Sequence, residues 1–318
     1  MRVLVVTNMY PTPDKPAFGT FVRDQVESLR ALGVDVDVFF MDGKASRLNY
    51  LRAFWGLRRW LGTHAPYDLI HAHYVFSGLV ALSQRRLPVV LTHHGIEVVL
   101  GWQGYLCRWV TPRADAVIVT SGVVKRALAD DRAVVIPCGV DFGLFAPMPK
   151  EEARARLGLP RDAKLVLFAG EPRPEKRLDI IQAAVQRLSV EDASVRLVVA
   201  SDRPHQEVPL YMNACDALAL ASEFEGSPMV IKEAMACNLP IVSVNVGDVD
   251  EIIGDTEGCY LCARTPEDMA DKLRLALAWD RRTDGRQRVM HLSLDATARQ
   301  ILAVYEGALR ARKGSRAG

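Results

Sequence analysis

The stretch KLVLFAGEPRPEKRLDIIQAAVQRL, Lys164–Leu188, decides the fold class. It starts with an unbroken apolar run of the kind that a parallel sheet buries on both faces, ends that run in Gly170, and passes through a polar loop into a helical pattern from Leu178. The same strand-then-helix grammar continues downstream through VRLVVA, DALALAS, a helix from Ser227, PIVSV, the short strand GCYLC, and helices over 266–279 and 294–311. Upstream of the polar segment 147–163, a first series reads VLVVT, a helix over 20–32, VDVDVFF, a helix near 48–61, LIHAH, PVVLTH, AVIVT and AVVIP. Two such series predict two doubly wound α/β domains, 1–145 and 146–318, with the last helix a candidate to pack back on the first domain. Ligands of doubly wound sheets bind beyond the carboxyl ends of the strands, so the expected site is a cleft between the two sheets.

Composition narrows the functional classes. Of 318 residues 49% are apolar, and 40 Lys and Arg stand against 38 Asp and Glu, so no nucleic acid or other polyanion partner is expected. The apolar run after Met1 and Arg2 is a first strand, too short for a signal peptide or a membrane span, and the expected location is the cytoplasm. Cys107, Cys138, Cys215, Cys237, Cys259 and Cys262 are scattered in apolar context and read as reduced and mostly buried; the CxxC of Cys259 and Cys262 reads as strand rather than metal site. The two DVD triplets, 35–37 and 248–250, read as an early strand and a helix-start loop, and no metal is expected. No GxGxxG follows the first strand, which argues against a dinucleotide enzyme. The basic tail 310–318 is expected to fray.

The chemistry concentrates in SEFEGSPMVIKEAMACNLPIVSV, Ser222–Val244. Ser227 suits an N-cap and Pro228 the first helical position, which predicts a helix to about Cys237. The amides at Ser227, Met229 and Val230 then form an anion site. Glu225 precedes that helix and Glu233 lies about two turns inside it, tilted back towards its start. Carboxylates beside an anion make sense where each meets hydroxyls, with a sugar on one side of a phosphate and a ribose on the other.

These residues resemble the retaining glycosyltransferases of the GT-B fold, family four or group one, whose hallmark EG-x6-EAMA-x3-P is present as Glu225, Gly226, Glu233, Ala234, Met235, Ala236 and Pro240. MRVLVVTNMYPTPDKPAFGTF, LIHAHYVFSG, VLTHHG, VIPCGVD and LVLFAGEPRPEKRLDII occur in the family's order, and the wording from YMNACD to VNVGDV looks closest to a bacterial cell-surface polysaccharide branch such as teichuronic acid or exopolysaccharide synthesis. The resemblance implies that Glu225 contacts the donor sugar and Glu233 the ribose. It also implies that the backbone of Gly226, Ser227, Pro228 and Met229 holds the distal phosphate, that Gly170 at the strand end belongs to the donor site, and that Lys176, in the loop after it, offsets charge on the leaving diphosphate. Gly19 would let backbone approach the pyrophosphate or else make a turn. His94 would lie at the reacting sugar, with His93 as the alternative and His71 and His73 packing or bonding at the wall of the site. The family usually has Arg where this chain has Glu171, and Arg173 is the candidate replacement, either reaching in or held by Glu171. The loop 201–208 is expected to line the base pocket.

The implied reaction retains anomeric configuration, with the departing phosphate oxygen taking the acceptor's proton and with neither metal nor cofactor. The expected partners are a nucleotide sugar and a saccharide or lipid-linked acceptor. The alternative is a non-catalytic nucleotide-sugar-binding subunit of a polysaccharide assembly complex. Residues 47–61, RLNYLRAFWGLRRWL, have the make-up of an interfacial helix that would place the protein peripherally at the inner leaflet, or of an ordinary helix packed on the first sheet.

Overall fold

The computed structural model describes the chain except residues 17, 44, 47, 65, 100 and 318, and except the side chains of residues 96, 99 and 315–317. Arg47 of the candidate interfacial helix and Gly318 of the basic tail therefore lie outside the described residues. The chain forms two compact units, Met1–Gly139 with Leu294–Gly318, and Val140–Ser293.

Unit 1 is built on strands β1 (Arg2–Thr7), β2 (Asp35–Phe40), β3 (Leu69–His73), β4 (Val89–His93), β5 (Ala116–Val119) and β6 (Val134–Val135). All pair in parallel, in the order β2-β1-β3-β4-β5-β6. Its helices are α1 (Thr20–Ala31), α2 (Leu48–Thr63), α3 (Val75–Ala81), α4 (Ile96–Val99), α5 (Gly101–Val110) and α6 (Gly122–Leu128). Unit 2 carries α7 (Lys150–Leu157), β7 (Lys164–Ala169), α8 (Leu178–Glu191), β8 (Val195–Ala200), α9 (Val208–Ala214), β9 (Ala217–Leu220), α10 (Met229–Ala236), β10 (Ile241–Val244), α11 (Val249–Ile253), β11 (Tyr260–Cys262), α12 (Pro266–Trp279) and α13 (Gly285–Val289). Its parallel sheet runs β11-β10-β9-β7-β8. The last helix, α14 (Leu294–Ala317), belongs to unit 1.

Each sheet is buried on both faces. In β1, Leu4 and Val6 face Leu57 of α2 and Val80 of α3, while Val3 and Val5 face Val22, Val26 and Leu29 of α1 and Ala298, Ile301 and Tyr305 of α14. In β7, Leu165 and Leu167 join Ile231 and Met235 of α10, while Val166 and Phe168 join Ile180 and Ile181 of α8 and Leu273 of α12. This double burial is why the strands read as unbroken apolar runs.

The unit boundary falls at Gly139 and Val140 rather than after residue 145. Val140 and Phe145 are buried in the unit 2 core, and the Val140 N–H donates to the Leu292 carbonyl at 2.9 Å. Residues 294–318 likewise count with unit 1, because Ala298, Ile301 and Tyr305 complete its core. The tail does not fray at 310: α14 continues to Ala317, and Arg312 pairs with Asp115 at 3.3 Å.

Both sheets reverse direction of growth once. In unit 1 the chain places β2 on one side of β1 and β3 on the other, and in unit 2 it places β8 on one side of β7 and β9 on the other. The carboxyl ends beside such a reversal leave a crevice where ligands of this architecture bind. In unit 1 those ends carry the Gly19 loop and His73, and in unit 2 they carry the Lys176 loop and the Glu225 loop.

Candidate functional site

In unit 2 the loops after β7 and β9 are tied together at the reversal. Gly170 leaves β7 with φ +135°, and a side chain there would meet open space. The loop then closes a 3-10 turn over Pro174–Lys176. From its end, the Lys176 Nζ donates to Glu225 Oε1 at 2.5 Å, with both side chains largely buried. Two further links fix this register: the Glu223 N–H donates to the Glu175 carbonyl at 2.8 Å, and Arg177 reaches Glu223 Oε1 at 3.3 Å. Arg173 is half exposed and stands with acids, 3.3 Å from Glu175 and 3.8 Å from Glu171. The structure thus brings Lys176 to Glu225 and leaves Arg173 to Glu171 and Glu175.

The segment from Glu225 to α10 differs from the expectation in one respect. Ser227 does not cap the helix: its hydroxyl donates to Asp248 Oδ2 at 2.5 Å, Pro228 takes the N-cap position without a side-chain cap, and α10 starts at Met229. Asp248 is buried, and burial raises its carboxyl above the usual range, so a hydroxyl donor is worth more there than at a helix start. Ahead of Asp248, Gly247 has φ +64°, and a Cβ on it would lie 3.0 Å from the Gly226 carbonyl oxygen and 3.2 Å from that of Glu225. The loop of Glu225 and Gly226 therefore rests on a residue that has to be glycine. Met229 and Val230 lie in the first helical turn, whose N–H groups have no intrahelical acceptor. Glu233 is buried one turn further on, with Oε1 3.9 Å from His205 Nε2. His205 comes from the loop 201–208 and sets its ring edge-on to Phe145 at 5.2 Å. His205 carries no signal of its own in the sequence beyond its place in that loop.

In unit 1, Gly19 precedes α1 with φ +73°, and a Cβ there would stand 2.5 Å from the Met9 carbonyl carbon and 2.6 Å from the Tyr10 nitrogen. Its place is set by the loop after β1, which leaves no room for a side chain. His94, partly exposed after β4, is held from several sides. Its backbone N–H donates to Glu97 Oε1 at 2.7 Å, its Nε2 lies 2.9 Å from His73 Nδ1, and Cys138 Sγ is 3.7 Å from its Nδ1. Phe21 and Tyr74 pack against its ring at 4.9 and 4.7 Å. His93 points elsewhere: it is buried, with Nε2 2.9 Å from Thr111 Oγ1. His71 and His73 are wholly buried, and burial pushes His73 down to about 3 and His71 well below its ordinary value, so both are neutral. Cys138 and Gln25 join this cluster without having carried any signal in the sequence.

Residues 2–144 match the family model for Glycosyltransferase Family 4, and residues 201–288 match that for Glycosyl transferases group 1. Both models describe glycosyltransferases, and between them they reach into both units of the chain. The two matched stretches contain Gly19, His94, Glu225 and Glu233, and Lys176 and Arg173 lie between them. Among curated relatives, the putative teichuronic acid biosynthesis glycosyltransferase TuaC of Bacillus subtilis (strain 168) is 24% identical, over 86% of this chain and 88% of the relative. The D-inositol 3-phosphate glycosyltransferase of Nocardioides sp. (strain ATCC BAA-499 / JS614) is 28% identical, over 76% and 68%. The sucrose-phosphate synthase structure from Thermosynechococcus elongatus superimposes with a TM-score of 0.83 at 22% identity, covering 98% of this chain and all of that one. The Anabaena Alr3699/HepE structure, solved with UDP, gives 0.70 at 18% identity, over 96% and 100%. These likenesses show the GT-B fold, two parallel-sheet α/β domains.

Proposed function

We propose that this chain is a retaining, metal-independent glycosyltransferase that moves a sugar from a nucleoside diphosphate donor to a saccharide or lipid-linked acceptor in cell-surface polysaccharide synthesis. The observation that carries this reading is the Lys176–Glu225 pair at 2.5 Å across the strand reversal of unit 2, beside the first turn of α10. A diphosphate at that turn meets backbone N–H groups and the Lys176 ammonium, and Glu225 accepts from sugar hydroxyls. Glu233, with His205 beside it, accepts from the ribose hydroxyls. In the reaction the bond from the anomeric carbon to the diphosphate oxygen breaks, and the bond to the acceptor oxygen forms on the same face. The acceptor proton passes to the departing phosphate oxygen while Lys176 and the helix amides hold its growing charge. The teichuronic acid biosynthesis in the name of TuaC supports a polysaccharide product, and the UDP of the Anabaena structure makes uridine diphosphate sugars the first donors to try.

The acceptor end of the reading draws on unit 1. The described residues include no helix long and apolar enough to cross a membrane. Helix α2 packs inward through Ala53 and Leu57 and leaves Leu48, Leu51 and Trp55 exposed. Helix α5 exposes Trp102, Tyr105 and Trp109, and the Phe76 ring lies 5.1 Å from Tyr50 of α2 and 5.9 Å from Trp102 of α5. Neither helix holds an acidic residue, and Arg52, Arg58, Arg59 and Arg108 lie among these aromatics, which suits an anionic leaflet and a lipid-linked acceptor at the cytoplasmic face.

Incubation of the purified protein with a panel of nucleotide sugars and saccharide or polyprenyl-linked acceptors, read by mass spectrometry, tests the reading. A mass shift on an acceptor, undiminished by EDTA, is the expected result. Donor binding without turnover on any acceptor would instead establish the non-catalytic subunit.

A further inference from the structure

The histidines of unit 1 form a chain of hydrogen bonds whose proton positions follow from its ends. His71 and His73 alternate with Ile70 and Ala72 on β3 and so project from one face of the strand, the face covered by α1 and α14. From α14, the Tyr305 hydroxyl lies 2.6 Å from His71 Nδ1, and His71 Nε2 lies 2.7 Å from Thr92 Oγ1. From α1, the Gln25 amide nitrogen lies 3.4 Å from His73 Nε2 and 3.5 Å from His71 Nδ1. An amide NH2 can only donate, so both of these ring nitrogens accept. A neutral imidazole that accepts at Nε2 carries its proton on Nδ1. His73 is neutral, because its burial opposes a charge. Its Nδ1–H therefore donates to His94 Nε2 at 2.9 Å, and His94 in turn carries its own proton on Nδ1, the side of Cys138.

We propose that Gln25 and His73 are positioning residues that hold His94 as the Nδ1–H tautomer, so that this imidazole meets a ligand as a hydrogen-bond donor and not as a base. The proposal rests on the reading that places His94 at the reacting sugar. A His94 whose lone pair is taken by His73 cannot remove the acceptor's proton. Its Nδ1–H, which rests on Cys138 Sγ at a long 3.7 Å, is the donor it would exchange to a sugar oxygen, which agrees with a reaction in which the departing phosphate takes that proton. Tyr305 fills the His71 lone pair and so leaves the Gln25 amide to His73, which gives the C-terminal helix a part in the chain.

Ring nitrogen shifts of the full-length protein labelled with 15N-histidine test this directly, with the His94 signal assigned by its loss in His94→Ala. The wild type is expected to show His94 protonated at Nδ1. His73→Asn, which keeps an amide N–H near the position of the lost Nδ1–H, is expected to preserve that form. His73→Leu and, independently of how well that variant folds, Gln25→Leu are expected to let the Nε2–H form appear. In turnover, His73→Leu is expected to lower kcat about tenfold with donor KM within twofold, and His73→Asn to recover most of the loss. His94 protonated at Nε2 in the wild type, or an unchanged tautomer in both leucine variants, would overturn the proposal. Should the tautomer pattern hold while His94→Ala turns over normally, the assignment stands and it is the placement of His94 at the sugar that fails.

Discussion

The two crevices of this chain are built from opposite materials. In unit 2 the strand reversal is lined with charge: Lys176 on Glu225, Arg177 on Glu223, and Arg173 between Glu171 and Glu175. In unit 1 the matching position holds imidazole rings, His71, His73 and His94, the first two neutral, joined through Gln25 and Tyr305. Both sheets have the same topology at this point, so the difference is not one of fold. On the proposed function it lies in what each end has to stabilise. A diphosphate that gains charge as its bond breaks needs fixed cations and amides in place beforehand, whereas a sugar needs directed hydrogen bonds with little field. On that proposal, one architecture used twice divides the labour by residue type at the strand ends.

The largest effect that could break this comparison is kinetic. If unit 2 supplies the charge, Lys176→Ala should lower kcat by about 10²–10³, the usual loss on removing one preorganised transition-state donor. Arg173→Ala should cost less than about tenfold, because that guanidinium is half exposed and already held by two carboxylates. Steady-state kinetics of both variants decide it. Equal losses would mean that Arg173 leaves its acids when donor binds and replaces the arginine missing at Glu171.

Acid should separate the units next. His71 and His73 have folded-state values pushed below the ordinary 6.5, so they bind fewer protons folded than unfolded. Their contribution to stability is complete above the unfolded value and is lost as pH falls below about 6.5, for His73 down to about 3, by about 1.4 kcal/mol per pH unit for each histidine in the window where only the unfolded ring is protonated. Hydrogen exchange of β3 and β7 amides at pH 7, 5.5 and 4.5 should show unit 1 opening well before unit 2. A His71→Gln, His73→Asn double variant with the same pH slope in β3 would refute the assignment of that loss to these two rings.

Gly19→Ala is the third. Its φ of +73° and a Cβ 2.5 Å from the Met9 carbonyl carbon should destabilise unit 1 by about 2–4 kcal/mol, partly from left-handed backbone and partly from overpacking. Urea unfolding followed at β1 amides measures it. Gly170→Ala, at φ +135° with open space where a Cβ would stand, carries a backbone cost with no packing cost beside it.

Much of this was legible in the sequence because it is local. The apolar runs, Gly170 before the Lys176 loop, and the eight-residue step from Glu225 to Glu233 each lie within one strand-loop-helix unit. What escaped was carried by distant partners. Ser227 looks like an N-cap until the buried Asp248 takes its hydroxyl from twenty-one residues away. Gly247 looks like a turn until the Glu225 and Gly226 carbonyls press against it. His73 and His94 meet only because β3 and β4 pair in parallel with His73 opposite Thr92, and nothing in the sequence near either histidine announces Gln25 or Tyr305.

Tyr305 gives the finest test of the neutral half. It is the buried contact by which α14, 234 residues away in sequence, reaches His71. Tyr305→Phe keeps the ring and its packing against Val22, Val26 and Leu29 but leaves His71 Nδ1 with only the distant Gln25 amide at 3.5 Å. A buried acceptor deprived of its donor should cost about 1–2 kcal/mol, felt in β3 and α14 and not in unit 2. Part of that loss should return if Gln25 turns from His73 towards the vacated lone pair, and then the His94 ring would lose its fixed tautomer although its own contacts are untouched. Exchange rates of β3 amides and the His94 ring nitrogen shifts, measured on the same sample, separate the two consequences. A stability loss with His94 unchanged makes Tyr305 a strut of the fold, and a shift at His94 makes it the far end of the chain that sets the proton.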